Sequence, residues 1–187
     1  QMNWELRAPD GLLGNFVGVE LGDLDGDGVP ELITVSNFAE PDQNELLQPI
    51  AFYYTWDGEK FNEEAGSVLN LSGGRNLIRG HNFSLIDYDG DMDQELAVSL
   101  GSPLREIVIL DLNENGDWRV VQTLKPNGMR SGIGAIYVAS TDWSRDGYDK
   151  VIALSPEGEI LRTQPFYNLG GELVMGSSQE TPIPGLD

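Results

Sequence analysis

Short apolar runs rich in β-branched residues alternate along the chain with polar, glycine-rich loops, and no helical period persists long enough to predict a helix. Three times, an extended segment enters an acidic loop and an apolar run leaves it. The runs that leave the loops are residues 32–35, 96–100 and 151–154. Because apolar runs bounded by turn residues are typical of hairpins, each acidic loop is predicted to join two β-strands.

Further strands fill each period, and they are predicted at residues 50–56, 68–71, 106–110, 118–124, 160–163 and 172–175. Four short strands in each period of 55–64 residues are typical of β-propeller blades. A β-sandwich is the alternative, but a sandwich does not require the same loop at the same place in successive units. The predicted fold class is therefore all-β, with about three four-stranded β-propeller-type blades.

The repeats divide the chain into segments. Residues 1–15 are predicted to be a strand of a preceding blade or a linker, and residues 177–187 an extended tail. The blade-like repeats are predicted at residues 16–72, 73–125 and 126–176. Propellers typically have about 4–8 blades, so three blades do not close a ring. Either the chain is part of a larger propeller, or its open blade edges pair with other copies or other chains.

The first two loops carry acids at positions 1, 3, 5 and 9, namely Asp23, Asp25, Asp27 and Glu31, and Asp87, Asp89, Asp91 and Glu95. Two unit charges about 4 Å apart repel by roughly 4 kcal/mol at an effective dielectric constant near 20, so such loops need a counter-charge. Ca²⁺ accepts about 6–8 oxygen ligands in flexible geometry, whereas Mg²⁺ is smaller and keeps its waters. The spacing therefore predicts two Ca²⁺ sites.

These loops resemble the FG-GAP and VCBS repeats of integrin-α-like β-propellers, in which Asp-x-Asp/Asn-x-Asp-Gly-x-x-Asp between two strands of a blade holds Ca²⁺. Residues 23–31 match this motif, and the resemblance implies that Val29 gives its backbone carbonyl to the ion. Asp93 stands at the same position of the second loop. Met92 replaces the motif glycine there, at a position that often needs positive φ, so we expect backbone strain or weaker binding.

The third loop departs from the motif. Asp142 and Asp146 are retained, but Ser144 replaces the middle acid and Lys150 stands at the final acidic position. An ammonium group then lies where a carboxylate should meet the cation. We expect this site to be lost or much weakened, with Lys150 neutralising the two aspartates directly.

Two other interpretations compete with a Ca²⁺ motif for the acidic loops. An EF-hand needs flanking helices and a bidentate glutamate at position 12, where Thr34, Val98 and Ala153 stand within β-branched runs. The acids could also be solvated turn residues, because Asp and Gly are common in turns. Two loops in phase make that interpretation much weaker than one loop would.

The charge of the chain limits its partners. With 31 acidic against 11 basic residues, the net charge of −20 repels nucleic acid and anionic lipid, so neither a nucleic-acid partner nor membrane insertion is expected. The absence of cysteine excludes disulfides, thiolate metal sites and cysteine nucleophiles. Weak Ca²⁺ sites suit extracellular modules, so we expect an extracellular or cell-surface location, with any export signal removed or outside this sequence.

Other residues carry weaker signals. His81, the single histidine, is expected at a packing or rim position rather than as a general base. The aromatic residues are expected mainly in the core, with a sugar-stacking surface as the alternative; they include Trp4, Trp56, Trp118, Trp143 and residues 52–54. The arginines between blades are expected to offset carboxylates, with an acidic ligand as the alternative; they are Arg75, Arg79 and Arg130. Two N-glycosylation sequons, at Asn70 and Asn82, are weak evidence for glycosylation, because about one is expected by chance.

The leading functional hypothesis is a non-catalytic, Ca²⁺-stabilised adhesion or assembly scaffold that binds a protein or glycan at the cell surface or matrix. No recognised catalytic motif occurs, so no catalytic residue and no enzyme activity are predicted. A carbohydrate-binding module, or the propeller part of a polysaccharide-acting enzyme, is the first alternative. A subunit of an extracellular filament, with blade edges pairing between copies, is the second.

Overall fold

The computed structural model describes residues 13–39, 50–68, 80–101, 104–128, 136–157 and 160–183. This part of the chain is all-β, with thirteen strands in three antiparallel sheets and no helix, which confirms the predicted all-β class. Consistently, no helix in these ranges is long and apolar enough to cross a membrane.

Each sheet follows the chain order of its strands. The first sheet contains β1 (Leu13–Gly22), β2 (Glu31–Ala39), β3 (Ile50–Trp56) and β4 (Phe61–Val68). The second contains β5 (Gly80–Ile86), β6 (Glu95–Leu100), β7 (Ile107–Leu112) and β8 (Trp118–Leu124). The third contains β9 (Tyr137–Thr141), β10 (Lys150–Glu157), β11 (Ile160–Asn168) and β12 (Leu173–Met175), and β13 (Gln179–Pro182) also pairs with β11.

The acidic loops join the first two strands of each sheet in the same register. The equivalent cross-strand pairs next to the loops are Leu21 with Leu32, Leu85 with Leu96, and Ser140 with Val151. Since side chains alternate between faces along a strand, residues at equal distance from their loop point to the same side of each sheet. The three sheets are therefore equivalent position by position.

The sheets pack face to face through two apolar clusters. One joins the first and second sheets and includes Ile33, Val35, Leu96 and Val98. The other joins the second and third sheets and includes Ala97, Ile109, Val151 and Phe166. Every residue of β6 is buried, because the second sheet is covered on both faces. This double burial explains why apolar residues stand at the consecutive positions 96–98 of β6, where a sheet with one solvated face would alternate.

Two segments differ in detail from the sequence expectation. The fourth strand of the first sheet begins at Phe61, earlier than the predicted segment 68–71, and is described as far as Val68; residues 69–71 lie outside the described residues. The carboxylate of Asp57 accepts hydrogen bonds from the N–H groups of Glu59 and Lys60, and this turn ends directly at the new strand. In the segment predicted to be an extended tail, residues 179–182 form β13.

Candidate metal centres

In the first acidic loop, carboxylate oxygens of Asp23, Asp25 and Asp27 lie within 4.8 Å of one another. These carboxylates accept hydrogen bonds from backbone N–H groups of the same loop. Gly28 N–H donates to Asp23 Oδ2 at 2.8 Å, and Val29 N–H donates to Asp27 Oδ1 at 2.7 Å. The hydrogen bonds curl the loop so that its carboxylates converge.

Glu31 completes this loop from the first position of β2. Its carboxylate is buried and accepts a hydrogen bond from Leu24 N–H at 2.9 Å. Burial raises the pKa of Glu31, and the charges of Asp25, Asp23 and Asp27 raise it further, while the Leu24 N–H opposes them. The loop is thus electrostatically unfavourable without a cation.

The Oδ1 atom of Asp23 gives an independent test of whether these residues fit a metal. It is buried and accepts no hydrogen bond within the described part of the chain. An unpaired buried acceptor costs about 1–3 kcal/mol or more when charged. A hard cation shared with Asp25 and Asp27 would satisfy this oxygen, so the residues fit Ca²⁺.

The second loop brings together two overlapping groups of acids. Carboxylate oxygens of Asp87, Asp89 and Asp91 lie within 4.8 Å of one another, and so do those of Asp91, Asp93 and Glu95. All of these side chains except that of Asp87 line a cavity of about 520 Å³. Gly90 N–H donates to Asp87 Oδ1 at 2.7 Å and so anchors the first acid of the loop.

Two carboxylates in the second loop have strongly shifted pKa values. Burial, followed by the charge of Asp89, raises the pKa of Glu95 to about 9. A hydrogen bond with Asp91, followed by burial, raises the pKa of Asp93 to about 7. Both shifts mean that the negative charges are poorly stabilised by the protein alone.

The three loops share their backbone conformation. At position 6, counted from the first aspartate of each loop, φ is 85° for Gly28, 84° for Met92 and 89° for Gly147. The left-handed conformation expected at Met92 is therefore confirmed. Position 4 also has positive φ in all three loops, and in the third loop a non-glycine residue, Arg145, adopts it at 57°.

The third loop contains its own cation. The Lys150 side chain is only 4% exposed, and its ammonium group contacts Asp142 Oδ1 at 3.0 Å and also Asp146. It donates a further hydrogen bond to the carbonyl of Tyr148. These contacts confirm that Lys150 pairs with both aspartates. The N–H of Gly147 and then Lys150 lower the pKa of Asp142 to about 2.

Successive loops are connected through position 8, which sequence reasoning missed. Gln94 N–H donates to the backbone carbonyl of Asp23 at 2.8 Å, and Asp149 N–H donates to that of Asp87 at 2.7 Å. The backbone N–H of each first aspartate returns a hydrogen bond to the side chain of the same partner, at 3.1 Å for Gln94 and 3.2 Å for Asp149. The sequence signal for this contact was that a polar side chain recurs at position 8 of the second and third loops.

All ten predicted ligand residues lie within the described part of the chain. The carboxylates among them gather into these two centres, except that of Glu31, which lies outside the group of oxygens within 4.8 Å of one another. Val29, the predicted carbonyl donor, lies exposed on its loop. The side chain of Asn82, which stands in a glycosylation sequon, is bonded within the protein. Its amide nitrogen donates to the carbonyl of Val138 at 2.7 Å, and its Oδ1 accepts from Val138 N–H at 2.9 Å. This side chain joins β5 to β9, and a glycan on its nitrogen disrupts that contact.

The aromatic residues singled out in the sequence differ in their burial. Trp118, Phe52 and Tyr54 lie in the core as expected, whereas Trp56 and Trp143 are exposed. His81 lies in β5, but its side chain is outside the described part. Trp4, Asn70 and the three inter-blade arginines also lie outside the described residues.

No family model and no curated protein matches the chain. Among solved structures, it is similar to the exotype rhamnogalacturonan lyase YesX, with a TM-score of 0.61 and 16% identity over 96% of this chain. It is also similar to the Bacillus licheniformis rhamnogalacturonan lyase PL11, with a TM-score of 0.59 and 15% identity over 96% of this chain. The chain spans 35% and 37% of the lengths of those proteins. At such identities the likeness concerns the fold alone.

Proposed function

We propose that the chain is a Ca²⁺-binding structural segment of a β-propeller-type, extracellular protein, with one ion in each of the first two acidic loops. The observation that carries this proposal is the buried, unpaired Asp23 Oδ1 beside two converging carboxylates. The equivalent geometry and the raised pKa of Glu95 support the second site. The third loop needs no metal, because Lys150 neutralises it.

Bound Ca²⁺ supplies the positive charge that the carboxylates lack. The protein contributes the geometry: buried Glu31 and Glu95 hold the loop ends, and backbone N–H groups orient the aspartates. Because Gln94 and Asp149 connect each loop to its neighbour, ordering one loop also fixes the next sheet. The second loop takes part in both connections, so its site should matter most for the stacking.

Three features support a propeller-type arrangement. Each sheet contains a four-stranded meander, to which β13 is added in the third sheet, and the sheets stack through equivalent faces. The first strand of each sheet lies beside the first strand of the next, β1 by β5 and β5 by β9. Neighbouring blades around a central axis have this relation. Such a body also accounts for the FG-GAP-like spacing of the loops.

The favoured biological setting is a polysaccharide-related protein in which this segment is non-catalytic. The likeness of the fold to two rhamnogalacturonan lyases supports this setting, whereas the adhesion role expected from the sequence has no counterpart in those two structures. Fold likeness does not carry activity with it. Among the aromatic residues that could stack on a sugar, Tyr54 is only 2% exposed and is unsuitable, while Trp56 and Trp143 are accessible.

Isothermal titration calorimetry tests the calcium proposal. The chain is expected to bind two Ca²⁺, and Asp25→Asn and Asp89→Asn are each expected to remove one. Asp57→Asn, an identical charge change in an exposed turn, should leave both sites intact. With Ca²⁺ at a hundred times Kd, each independent site stabilises the fold by about 2.7 kcal/mol, so chelation should lower Tm. Absence of saturable binding overturns the proposal.

Titration with rhamnogalacturonan tests the polysaccharide setting separately. Binding that is lost in Trp143→Ala or Trp56→Ala supports a direct sugar contact. Binding that both variants retain places the contact elsewhere on the chain. No binding at millimolar polysaccharide removes direct sugar recognition from the proposal and leaves a structural role.

A further inference from the structure

In the second strand of a sheet, two positions are buried by the sheet that follows. Ile33 and Val35 in β2 are 0% exposed because the second sheet covers them. Counted from the loop, Ala97 and Ser99 are the equivalent residues of β6, and they too are fully buried, on the side that faces the third sheet. The same two positions are therefore covered wherever a following sheet is present.

In the third sheet these positions are occupied by Ile152 and Leu154, which are only half-buried. They line a cavity of about 290 Å³ on the outer face of the sheet, together with Trp143 and Tyr167. The two aromatic rings are 41% and 42% exposed and meet edge to face at 5.8 Å. This face is apolar at the positions where the first two sheets are covered.

The loop of the third sheet shows the same incompleteness. The backbone carbonyls of Asp23 and Asp87 each accept a hydrogen bond from position 8 of the following loop. Asp142 is the equivalent residue of the third loop, and within the described ranges no such donor reaches it. The third sheet therefore has, on this side, both the apolar side chains and the loop carbonyl that make contact with a following sheet at the first two interfaces.

A second copy of the chain is a poor occupant. Its first sheet would have to supply the covering surface, but Pro30 stands at position 8 and has no N–H to donate. The residues of the first sheet that would face the third sheet include Thr34 and Ser36. Both are already buried within their own chain, at 1% and 3% exposure, and so are not available to cover another sheet. Two chains, each with a net charge of −20, also repel.

We propose that the outer face of the third sheet, formed around Ile152 and Leu154, docks a further four-stranded antiparallel sheet of the same repeat, in the register of the two existing interfaces. The partner sheet presents apolar side chains at the positions equivalent to Leu96 and Val98, and a residue other than proline at position 8 of its loop. The proposal rests on the propeller-type stacking proposed above and is independent of calcium binding.

The natural absence of cysteine allows a direct test by thiol labelling. Single variants Leu154→Cys and Val35→Cys are prepared in the full chain, and Val35 is the matched position that the second sheet covers. The probe for the partner is a second copy of residues 80–128 appended by a flexible linker after residue 187. This unit carries the covering face of β6 and the Gln94 donor, and a single repeat is not expected to fold without a neighbour.

In the unextended chain, Leu154→Cys should react rapidly and Val35→Cys slowly. With the appended unit, labelling of Leu154→Cys should slow by roughly tenfold or more, since it then needs local opening. Gln94→Pro or Val98→Asp within the appended unit should restore rapid labelling. Hydrogen exchange should show the added β6 protected only when the thiol is protected.

Several results overturn the proposal. Rapid labelling of Leu154→Cys in the extended chain, with Val35→Cys still protected, shows that the face does not dock this sheet. Protection by added rhamnogalacturonan alone assigns the face to a sugar, and protection that rises with protein concentration assigns it to a second copy. Rapid labelling of Val35→Cys contradicts the stacking itself, so failure of the proposed propeller arrangement is distinguished from failure of the docking inference.

Discussion

Gln94 in the second loop brackets the backbone of Asp23 in the first: its N–H donates to the Asp23 carbonyl at 2.8 Å, and its Oε1 accepts from Asp23 N–H at 3.1 Å. A residue outside the predicted ligand set thereby positions the first ligand of the neighbouring centre. Asp149 and Asp87 repeat the backbone bond between the next two loops. The loops are therefore parts of one connected edge rather than three separate turns.

The substitution Gln94→Ala should weaken the first calcium site and the fold together. Loss of the side-chain acceptor leaves Asp23 N–H without its partner, which costs about 1 kcal/mol of unfolding free energy. Calcium affinity of the first loop should fall a few-fold in calorimetry. Gln122→Ala is the matched control, because the Gln122 side-chain amide donates to the Leu173 carbonyl and accepts from Leu173 N–H, without contacting the first loop. Equal effects of both variants on calcium affinity contradict the positioning role of Gln94.

The substitution Met92→Gly should stabilise the second loop. Met92 has a φ of 84°, and the left-handed region costs a non-glycine residue roughly 1–2 kcal/mol. The greater freedom of glycine in the unfolded chain offsets part of this gain, so we expect a net gain of about 0.5–1 kcal/mol in urea unfolding. The mirror substitution Gly28→Met should destabilise, although nothing lies within 4 Å of its Cβ position. Destabilisation by Met92→Gly counts against the strain argument.

The double substitution Ser144→Asp with Lys150→Glu should create a third calcium site. It restores acids at positions 3 and 9 of a loop whose backbone already matches the other two. Calorimetric stoichiometry should rise from two to three. Lys150→Met is the control, because it removes the ammonium group without adding ligands and should leave the stoichiometry at two. A stoichiometry that stays at two in the double variant refutes the equivalence of the loops.

Asp142 should make stability depend on pH in calcium-free buffer. Its pKa in the folded protein is lowered from 3.8 to about 2, by Gly147 N–H and then by Lys150. A lowered folded-state pKa stabilises the protein above the unfolded value, and this contribution is lost as pH falls from about 3.8 to about 2. Asp142→Asn should flatten the unfolding free energy over this interval, and Lys150→Met should flatten it partly. An unchanged acid limb in Asp142→Asn is incompatible with this assignment.

Much of the fold follows from local patterns. The acidic hairpins and most outer strands were predictable because apolar runs and turn residues alternate regularly. The start of β4 was not, since its polar residues Asn62, Glu63 and Glu64 carry no strand pattern. Pairing of β13 with β11 was also beyond the sequence, because an exposed polar segment joins a sheet through backbone hydrogen bonds that side-chain pattern does not encode.

The centres were predictable to the extent that their ligands share one loop. Spacing alone identifies Asp23, Asp25 and Asp27, and the unusual residues Met92 and Lys150 behave as their positions suggested. The contributions of Gln94 and Asn82 depend on which sheet faces which, so no local pattern identifies them. Contacts between sheets required the three-dimensional arrangement.

Crystallography with millimolar Ca²⁺ and anomalous difference maps tests the central claim most directly. We predict one peak among Asp23, Asp25 and Asp27 and one among Asp87, Asp89 and Asp91, each about 2.3–2.6 Å from its ligand oxygens, with none beside Lys150. Empty first and second loops under these conditions, or a peak in the third loop with Lys150 displaced, contradict the account.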